Sequence, residues 1–191
     1  LTASGLLWIA KEVHGRIPPT VMLAFPLLYG HVTSFGFINY MLSVALAFNL
    51  FAFWIYCDRT GKLTLRTVVM IPAAFIVAIC HVYGWGILGL LVFGYELYRN
   101  RSGGASLTRA IWSSGLSCVT LAGPLLLLLF WRGGTDPNSR TGQWFDMQGK
   151  IVWLVSSLRD RWGLFGRAAI IILGIGLVRG IFSGRMPIAA S

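Results

Sequence analysis

The feature that most constrains this chain is the stretch at residues 36–56, GFINYMLSVALAFNLFAFWIY, which contains no charged residue. A transmembrane helix needs about 20 mainly apolar residues to cross a hydrocarbon core roughly 30 Å thick. The whole chain agrees with this, because 56% of its residues are hydrophobic, 12% are charged and its mean hydropathy is +0.72. Ordinary soluble domains are far more polar. The sequence therefore predicts an all-α fold, a polytopic bundle of transmembrane helices.

The apolar block at residues 17–56 is about twice as long as one span requires. We therefore expect two elements, separated by a turn near residues 29–36. Three prolines, at Pro18, Pro19 and Pro26, make the first half a poor regular helix, which is expected to be kinked or re-entrant.

The block at residues 67–98 poses the same problem, because 32 residues of helix extend about 48 Å. A break near Gly84, in the segment HVYGWG, gives a hairpin of two short arms. One tilted helix is the alternative. It would move all later blocks to the other side of the membrane and weaken the charge bias described below.

Residues 110–131 and 165–182 are predicted to be two further spans, which makes about six membrane helices or half-helices. Residues 1–10 resemble the tail of an earlier span, so residues 1–191 are expected to form a single transmembrane domain of a longer chain. Residues 132–162 form a predicted outer loop with one interfacial amphipathic helix at 150–162. Five residues make up its apolar face: Ile151, Leu154, Val155, Leu158 and Trp162.

Sixteen Lys and Arg stand against six Asp and Glu, and the basic residues cluster between the apolar blocks. On the hairpin topology, the loops at 11–16, 57–66, 99–109 and 179–186 share one side and carry ten of the sixteen. Such a bias marks the cytoplasmic side, which predicts a multi-pass inner-membrane protein with membrane lipids as its partners. The basic residues lie in clusters between the spans and do not form one basic face on a soluble domain. This placement argues against nucleic acid as a partner.

Several motifs point to no cofactor and no metal. The pattern GWGILG at residues 84–89 satisfies G-x-G-x-x-G, but it follows a membrane segment instead of a buried strand, so helix packing explains it better than a dinucleotide. Three His without helical pairing and three unpaired Cys do not make a metal site or a disulfide framework. Glu96 and Arg99 are spaced to form an ion pair at a cytoplasmic helix end.

Polar side chains in the apolar blocks are the strongest functional signal, because an unpaired polar group in hydrocarbon is costly. The hairpin topology brings His31, Asn39 and His81 to one level near the outer face. We expect them to line an outward-facing pocket, with basic residues of the 132–162 segment overhead, namely Arg140, Lys150 and Arg159. The alternative is that Asn39 and His81 only form hydrogen bonds between helices.

Two segments, GFINYMLSVALAFNLFAFWIY and ICHVYGWGILGLLVFGYELYR, resemble a group of uncharacterised bacterial multi-pass membrane proteins. The shared patterns are G-F-x-N-[FY], C-H-[LVI]-[FY] and Y-E-L-[YWR]. They cover residues 26–99 well and residues 150–162 loosely. Those proteins distantly resemble the GT-C class of glycosyltransferases, which use a lipid-phosphate sugar donor at the outer membrane face.

The resemblance implies a glycosyltransferase-like protein, with a lipid-phosphate sugar donor as a further partner. The acidic motif of the class's first outer loop is not found here, so no catalytic residue is carried over and the catalytic base is expected outside this sequence. Arg140, Lys150 or Arg159 would neutralise the donor phosphate. The alternative is a non-catalytic transporter-like or assembly protein. Whether the chain is an enzyme, and its oligomeric state, are left open by the sequence.

Overall fold

The computed structural model of the protein describes residues 1–29, 37–130, 147–149, 171–172 and 174–175. The predicted interfacial helix and most of the last predicted span lie outside these residues. The chain divides into two compact units, one formed by 1–16 with 38–133 and the other by 17–37 with 134–191. The expectation of a single transmembrane domain stays a prediction.

The first unit consists of helices throughout the residues that the structure describes. Its elements are α1 (Thr2–His14), α2 (Ile38–Arg59), α3 (Leu63–Cys80), α4 (Val82–Ser102), α5 (Leu107–Cys118), a 3-10 turn (Val119–Leu121) and α6 (Pro124–Phe130). The predicted all-α fold is confirmed for this part of the chain.

Two of these helices, α2 and α3, are long and apolar enough to cross a membrane. A third span is present if α5 with its 3-10 turn and α6 are counted together, although they meet at 68°. The sequence predicts one span at residues 110–131, whereas the structure breaks that block at Ala122 and Gly123. Pro124 explains the break, because proline lacks a backbone N–H and disfavours helical conformation in the residue before it. The other predicted spans stay predictions.

Helix α2 is the centre of the first unit, because α1, α3 and α4 all pack against it. Its small residues Ala47 and Ala52 are fully buried and let the neighbouring helices approach, while Trp54 and Ile55 fill the space between them. Met70 of α3 and Leu88 of α4 belong to the same core cluster. Helix α3 leaves many more of its aliphatic side chains exposed, as expected for a helix that faces lipid.

Residues 67–98 form a hairpin, as predicted. Arg66 and Glu96 are 30 residues apart, yet Arg66 Nη1 lies 3.4 Å from Glu96 Oε1. In a continuous helix the two residues would be about 45 Å apart. The helix breaks at His81, whose backbone is extended at φ −170° and ψ 131°. The break lies at the first residue of HVYGWG instead of at Gly84, and α4 continues through Gly84 and Gly86.

Gly84 lets α4 approach α2 closely. A Cβ at Gly84 would lie 1.7 Å from Ser43 Oγ and 2.7 Å from the Ser43 carbonyl carbon, so no larger residue fits there. A Cβ at Gly86 would meet nothing within 4 Å. The packing role expected for these glycines is therefore confirmed for Gly84, whereas Gly86 lies on an open side of α4.

The longest described element of the second unit is a 3-10 helix at Pro19–Tyr29. Residues 17–56 thus contain two elements, as predicted, and the proline-rich one is not an α-helix. Long 3-10 helices are uncommon because their hydrogen-bond geometry is poor. Pro26 disfavours a regular α-helix in this segment, because proline has no backbone N–H to donate.

Candidate functional site

Two polar groups lie at opposite ends of the hairpin in the first unit. One, here named the His81 rim, consists of Asn39, Tyr40, Ser43, His81 and Tyr83. The other, named the charged cluster, consists of Trp54, Asp58, Arg66, Tyr95, Glu96 and Arg99. Helix α3 separates them, because a helical step of 15 residues from Arg66 to His81 extends about 22 Å.

His81 caps α4 at the point where the hairpin turns. Its Nδ1 accepts a hydrogen bond from the Tyr83 backbone N–H at 3.3 Å, which satisfies one of the free donors at the start of the helix. A neutral imidazole that accepts at Nδ1 carries its proton on Nε2. Within the described residues, Nε2 has no hydrogen-bond partner, so this N–H is a donor available to a ligand.

Two tyrosines hold the His81 ring. The Tyr83 ring stacks on it with centroids 5.4 Å apart and an interplanar angle of 18°. The Tyr40 ring, on α2, meets it edge-on at 5.3 Å and 90°. Tyr83 is 69% exposed, so the stack lies at the surface of the unit. The imidazole is therefore oriented by its neighbours instead of rotating freely.

Ser43 fixes the backbone beneath this ring. Its hydroxyl donates to the His81 carbonyl at 2.8 Å, although the residue itself is fully buried. That carbonyl also accepts from the Gly84 backbone N–H at 3.1 Å, so Ser43 adds a second donor, from α2, at the start of α4. Close approach of Gly84 to Ser43 makes this geometry possible.

Of the six residues predicted to line a pocket, two, Asn39 and His81, lie among the described residues, and their shared pocket stays a prediction. Asn39 is exposed in the first turn of α2, at the same end of the unit as His81. The ring that contacts His81 is that of Tyr40, the residue after Asn39. His31, Arg140, Lys150 and Arg159 lie outside the described residues, and their part in a pocket stays a prediction.

Sequence reasoning missed Tyr40 and Ser43. Neither residue stands out in an apolar segment, because tyrosine and serine are common in membrane helices. Gly84 was the available signal, since a glycine inside a membrane helix often marks a close approach to a neighbouring helix. The sequence does not say which residue of which helix lies opposite that glycine.

Glu96 is the centre of the charged cluster and is fully buried. Trp54 Nε1 donates to Glu96 Oε1 at 2.8 Å, and Arg66 Nη1 lies 3.4 Å from the same oxygen. The other oxygen, Oε2, is 2.7 Å from Arg99 Nη2 as an ion pair, at an angle that does not make a hydrogen bond. The predicted Glu96–Arg99 pair is confirmed, and it belongs to a larger network.

Asp58 links α2 to both arms of the hairpin. It pairs with Arg66 at 3.5 Å and with Arg99, and it accepts a hydrogen bond from Tyr95 Oη at 2.9 Å. Arg66 also stacks on Trp54, with its guanidinium carbon 4.0 Å from the ring centroid. Two carboxylates and two guanidinium groups thus balance one another, as buried charges must.

The charged cluster also tests the predicted topology. Glu12, at the end of α1, pairs with Arg59 at 3.4 Å, and Asn100 Nδ2 donates to Ser114 Oγ of α5 at 3.2 Å. Three of the four loops predicted to share one side, at 11–16, 57–66 and 99–109, therefore meet at one end of the unit. The fourth, at 179–186, lies outside the described residues.

The positions of the carboxylates limit the chemistry of the rim. Glu12, Asp58 and Glu96 are the acids among the described residues, and each is held by an arginine at the opposite end of the hairpin. The rim contributes an imidazole N–H, an amide and phenol rings. Such groups bind a polar or anionic ligand, whereas a carboxylate base would have to come from outside the described residues.

A cavity of about 280 Å³ lies beside the hairpin break. Its lining is aliphatic, formed by Ala78, Ile79, Val82, Pro124, Leu127 and Leu128. With no polar side chain in the lining, it fits an apolar group and not a sugar or a phosphate.

No protein-family model, curated protein or solved structure matches this chain. Function has therefore to be inferred from the His81 rim and the charged cluster themselves.

Proposed function

We propose that this chain is a multi-pass protein of the inner membrane, related to glycosyltransferases that use a lipid-phosphate sugar donor. In this proposal the His81 rim faces the outer side and binds the polar head of the donor. The charged cluster lies on the cytoplasmic side and holds the helices together.

The observation that carries the proposal is the unused N–H of His81. The imidazole Nδ1 accepts a hydrogen bond from a backbone N–H of its own helix, and the ring contacts Tyr40 and Tyr83. The residue is partly exposed. A hydrogen-bond donor held in a fixed orientation can bind a phosphate or sugar oxygen without the cost of ordering the donor on binding. Asn39 supplies a second polar group at the same end.

Chemically, sugar transfer needs a base to take the proton of the acceptor hydroxyl and positive charge to stabilise the departing phosphate. His81 and Asn39 would position the donor. Arg140, Lys150 or Arg159 remains the proposed ligand of the donor phosphate, and His31 remains a proposed residue of the pocket. The base is proposed to be a carboxylate outside this sequence, and Asp58 and Glu96 belong to the opposite end of the first unit.

The test compares two substitutions of His81 in the full chain, reconstituted in vesicles with a radiolabelled lipid-phosphate-linked hexose. His81→Ala removes both the imidazole and the helix cap. His81→Asn removes the imidazole but keeps an acceptor that caps a helix well. If the rim binds the donor, both variants lose donor binding and sugar transfer by about 10-fold or more, as expected for a lost hydrogen bond to a charged group.

The amount of folded protein separates the two roles of His81. Under the proposal, His81→Asn keeps the folded yield of the parent while binding is lost. A variant His81→Asn that binds and transfers like the parent would reduce His81 to a structural cap. Ser117→Ala serves as control, because that hydroxyl donates to Ser113 O within α5, a helix that contributes no residue to the rim.

The structure also offers one observation for the rival function, a transporter-like protein. Helices are discontinuous at His81 and again between Leu121 and Pro124, where the 68° bend lies. Discontinuous helices are typical of transporters. Uptake of labelled sugar into protein-containing vesicles without transfer to an acceptor would favour this rival over the transferase.

A further inference from the structure

The strongest unexplained feature of the first unit is an excess of positive charge at one end. All eight Lys and Arg of the described residues lie on the loops and helix ends near the charged cluster, against three acids. Arg59, Arg66 and Arg99 are the partners of those acids. Five basic residues have no carboxylate among the described residues: Lys11, Arg16, Lys62, Arg101 and Arg109.

These five residues are all exposed, and here they are named the basic ring. They come from the end of α1, the α2–α3 turn, the end of α4 and the start of α5. Those segments meet through the Glu12–Arg59 pair, the Asp58–Arg99 pair and the Asn100–Ser114 hydrogen bond. The ring is therefore one surface, assembled from four separate parts of the sequence.

The order of side chains along α5 shows how this surface meets a membrane. Arg109, Trp112 and Leu116 follow one another at about one-turn intervals, and all three are exposed. A cation, then an aromatic residue, then an aliphatic one is the order in which side chains pass from headgroups through the interface into hydrocarbon. Helix α3 follows a similar order without the aromatic residue, with Lys62 followed by the exposed Val68 and Ile71.

We infer that the basic ring binds the phosphate groups of anionic phospholipids in the leaflet around the charged end of the bundle. Each of the three acids of this end is paired with an arginine outside the ring, so the acids do not cancel the field of the ring. Clusters of four to eight basic residues next to membrane helices attract anionic headgroups in this way. This inference goes beyond the proposed function and concerns the opposite end of the unit.

The experiment uses the full chain in an uncharged detergent, with thermal unfolding followed by circular dichroism. Phosphatidylglycerol or phosphatidylcholine is added at equal mole fraction. For the parent, phosphatidylglycerol is expected to raise the midpoint by about 5 °C, because a ligand that binds only the folded state stabilises it. Phosphatidylcholine should give no comparable rise, and 1 M salt should abolish the difference.

Two five-site variants test the ring itself. In the neutral variant each ring residue becomes Gln, and the response to phosphatidylglycerol should fall to less than half. In the matched control, Lys and Arg are exchanged for one another at the same five positions, and the response should be kept. If the neutral variant does not fold, Lys62→Gln and Arg109→Gln are tested singly, and each should lower the response to phosphatidylglycerol.

Three results would overturn the inference. A response of the neutral variant to phosphatidylglycerol as strong as that of the parent would show that the ring is not the binding surface. An equal rise with phosphatidylcholine would show that headgroup charge is irrelevant. An equal rise with inorganic phosphate alone would show that the surface binds free anions and not lipid. None of these results depends on the activity of the His81 rim.

Discussion

Trp54 and Glu96 are joined by a hydrogen bond of 2.8 Å from Nε1 to Oε1, and both side chains are fully buried. This bond connects the central helix α2 to the second arm of the hairpin. Arg66, on the first arm, stacks on the same tryptophan and pairs with the same carboxylate. Three helices are thus held at one point, so the charged cluster should matter to stability more than surface ion pairs do.

Glu96→Gln should lower the free energy of unfolding by about 3 kcal/mol, near the lower end of the range for breaking a buried ion pair. The amide still accepts from Trp54, so the loss reports on Arg66 and Arg99. Glu12→Gln is the matched control, because Arg59 is 51% exposed and an exposed pair contributes less than about 1 kcal/mol. Unfolding by SDS in mixed micelles measures both, and equal losses would contradict a special role for Glu96.

Gly84→Ala should be strongly destabilising, with a loss of about 2 kcal/mol or more, because the new Cβ would overlap Ser43 of α2. Gly86→Ala makes the matched control. At that position the Cβ meets nothing, so the higher helix propensity of alanine should leave stability unchanged or raise it by up to about 1 kcal/mol. The same SDS titration applies, and a similar loss at both positions would mean that α4 does not pack on α2 at Gly84.

The hairpin predicts from which side of the membrane a single introduced cysteine can be labelled. The test uses a chain whose three native cysteines are replaced by alanine. Cysteines at Lys62 and Arg101, two exposed positions, should react with a membrane-impermeant maleimide from the same side. A cysteine at the exposed Tyr83 should react from the other side. Labelling of Lys62→Cys and Arg101→Cys from opposite sides is the result expected of one continuous span, and it would refute the hairpin.

Asn49 should contribute to the packing of α1 on α2. Its Nδ2 donates to Leu1 O at 2.9 Å, and its Oδ1 accepts from Ser4 Oγ at 3.2 Å. Asn49→Leu should therefore cost about 1 kcal/mol, a typical value for hydrogen bonds between membrane helices. Ser117→Ala, whose hydroxyl donates to Ser113 O within α5, should cost almost nothing. A loss no greater than that of the control would mean that Asn49 does not hold α1.

The sequence by itself determined the elements that depend on local physics. The length of the apolar blocks predicted the helices α2 and α3. The block at 67–98 is too long for one span, which predicted its break. Charge placement predicted that three loops share one end, which the ion pairs confirm. Spacing predicted the Glu96–Arg99 pair. Each of these follows from the membrane as solvent or from helix geometry, so no knowledge of neighbouring helices was needed.

Only the tertiary structure decided which residues meet. Residues 110–131 were expected to be one span, but Pro124 and the preceding Gly123 bend it by 68°. The partners of Glu96, namely Trp54 and Arg66, come from other helices, and so does Ser43, which supports His81. Such contacts depend on the rotation of each helix about its axis. That rotation is fixed by the packing of a whole bundle around small residues such as Gly84 and Ala47, not by any one segment.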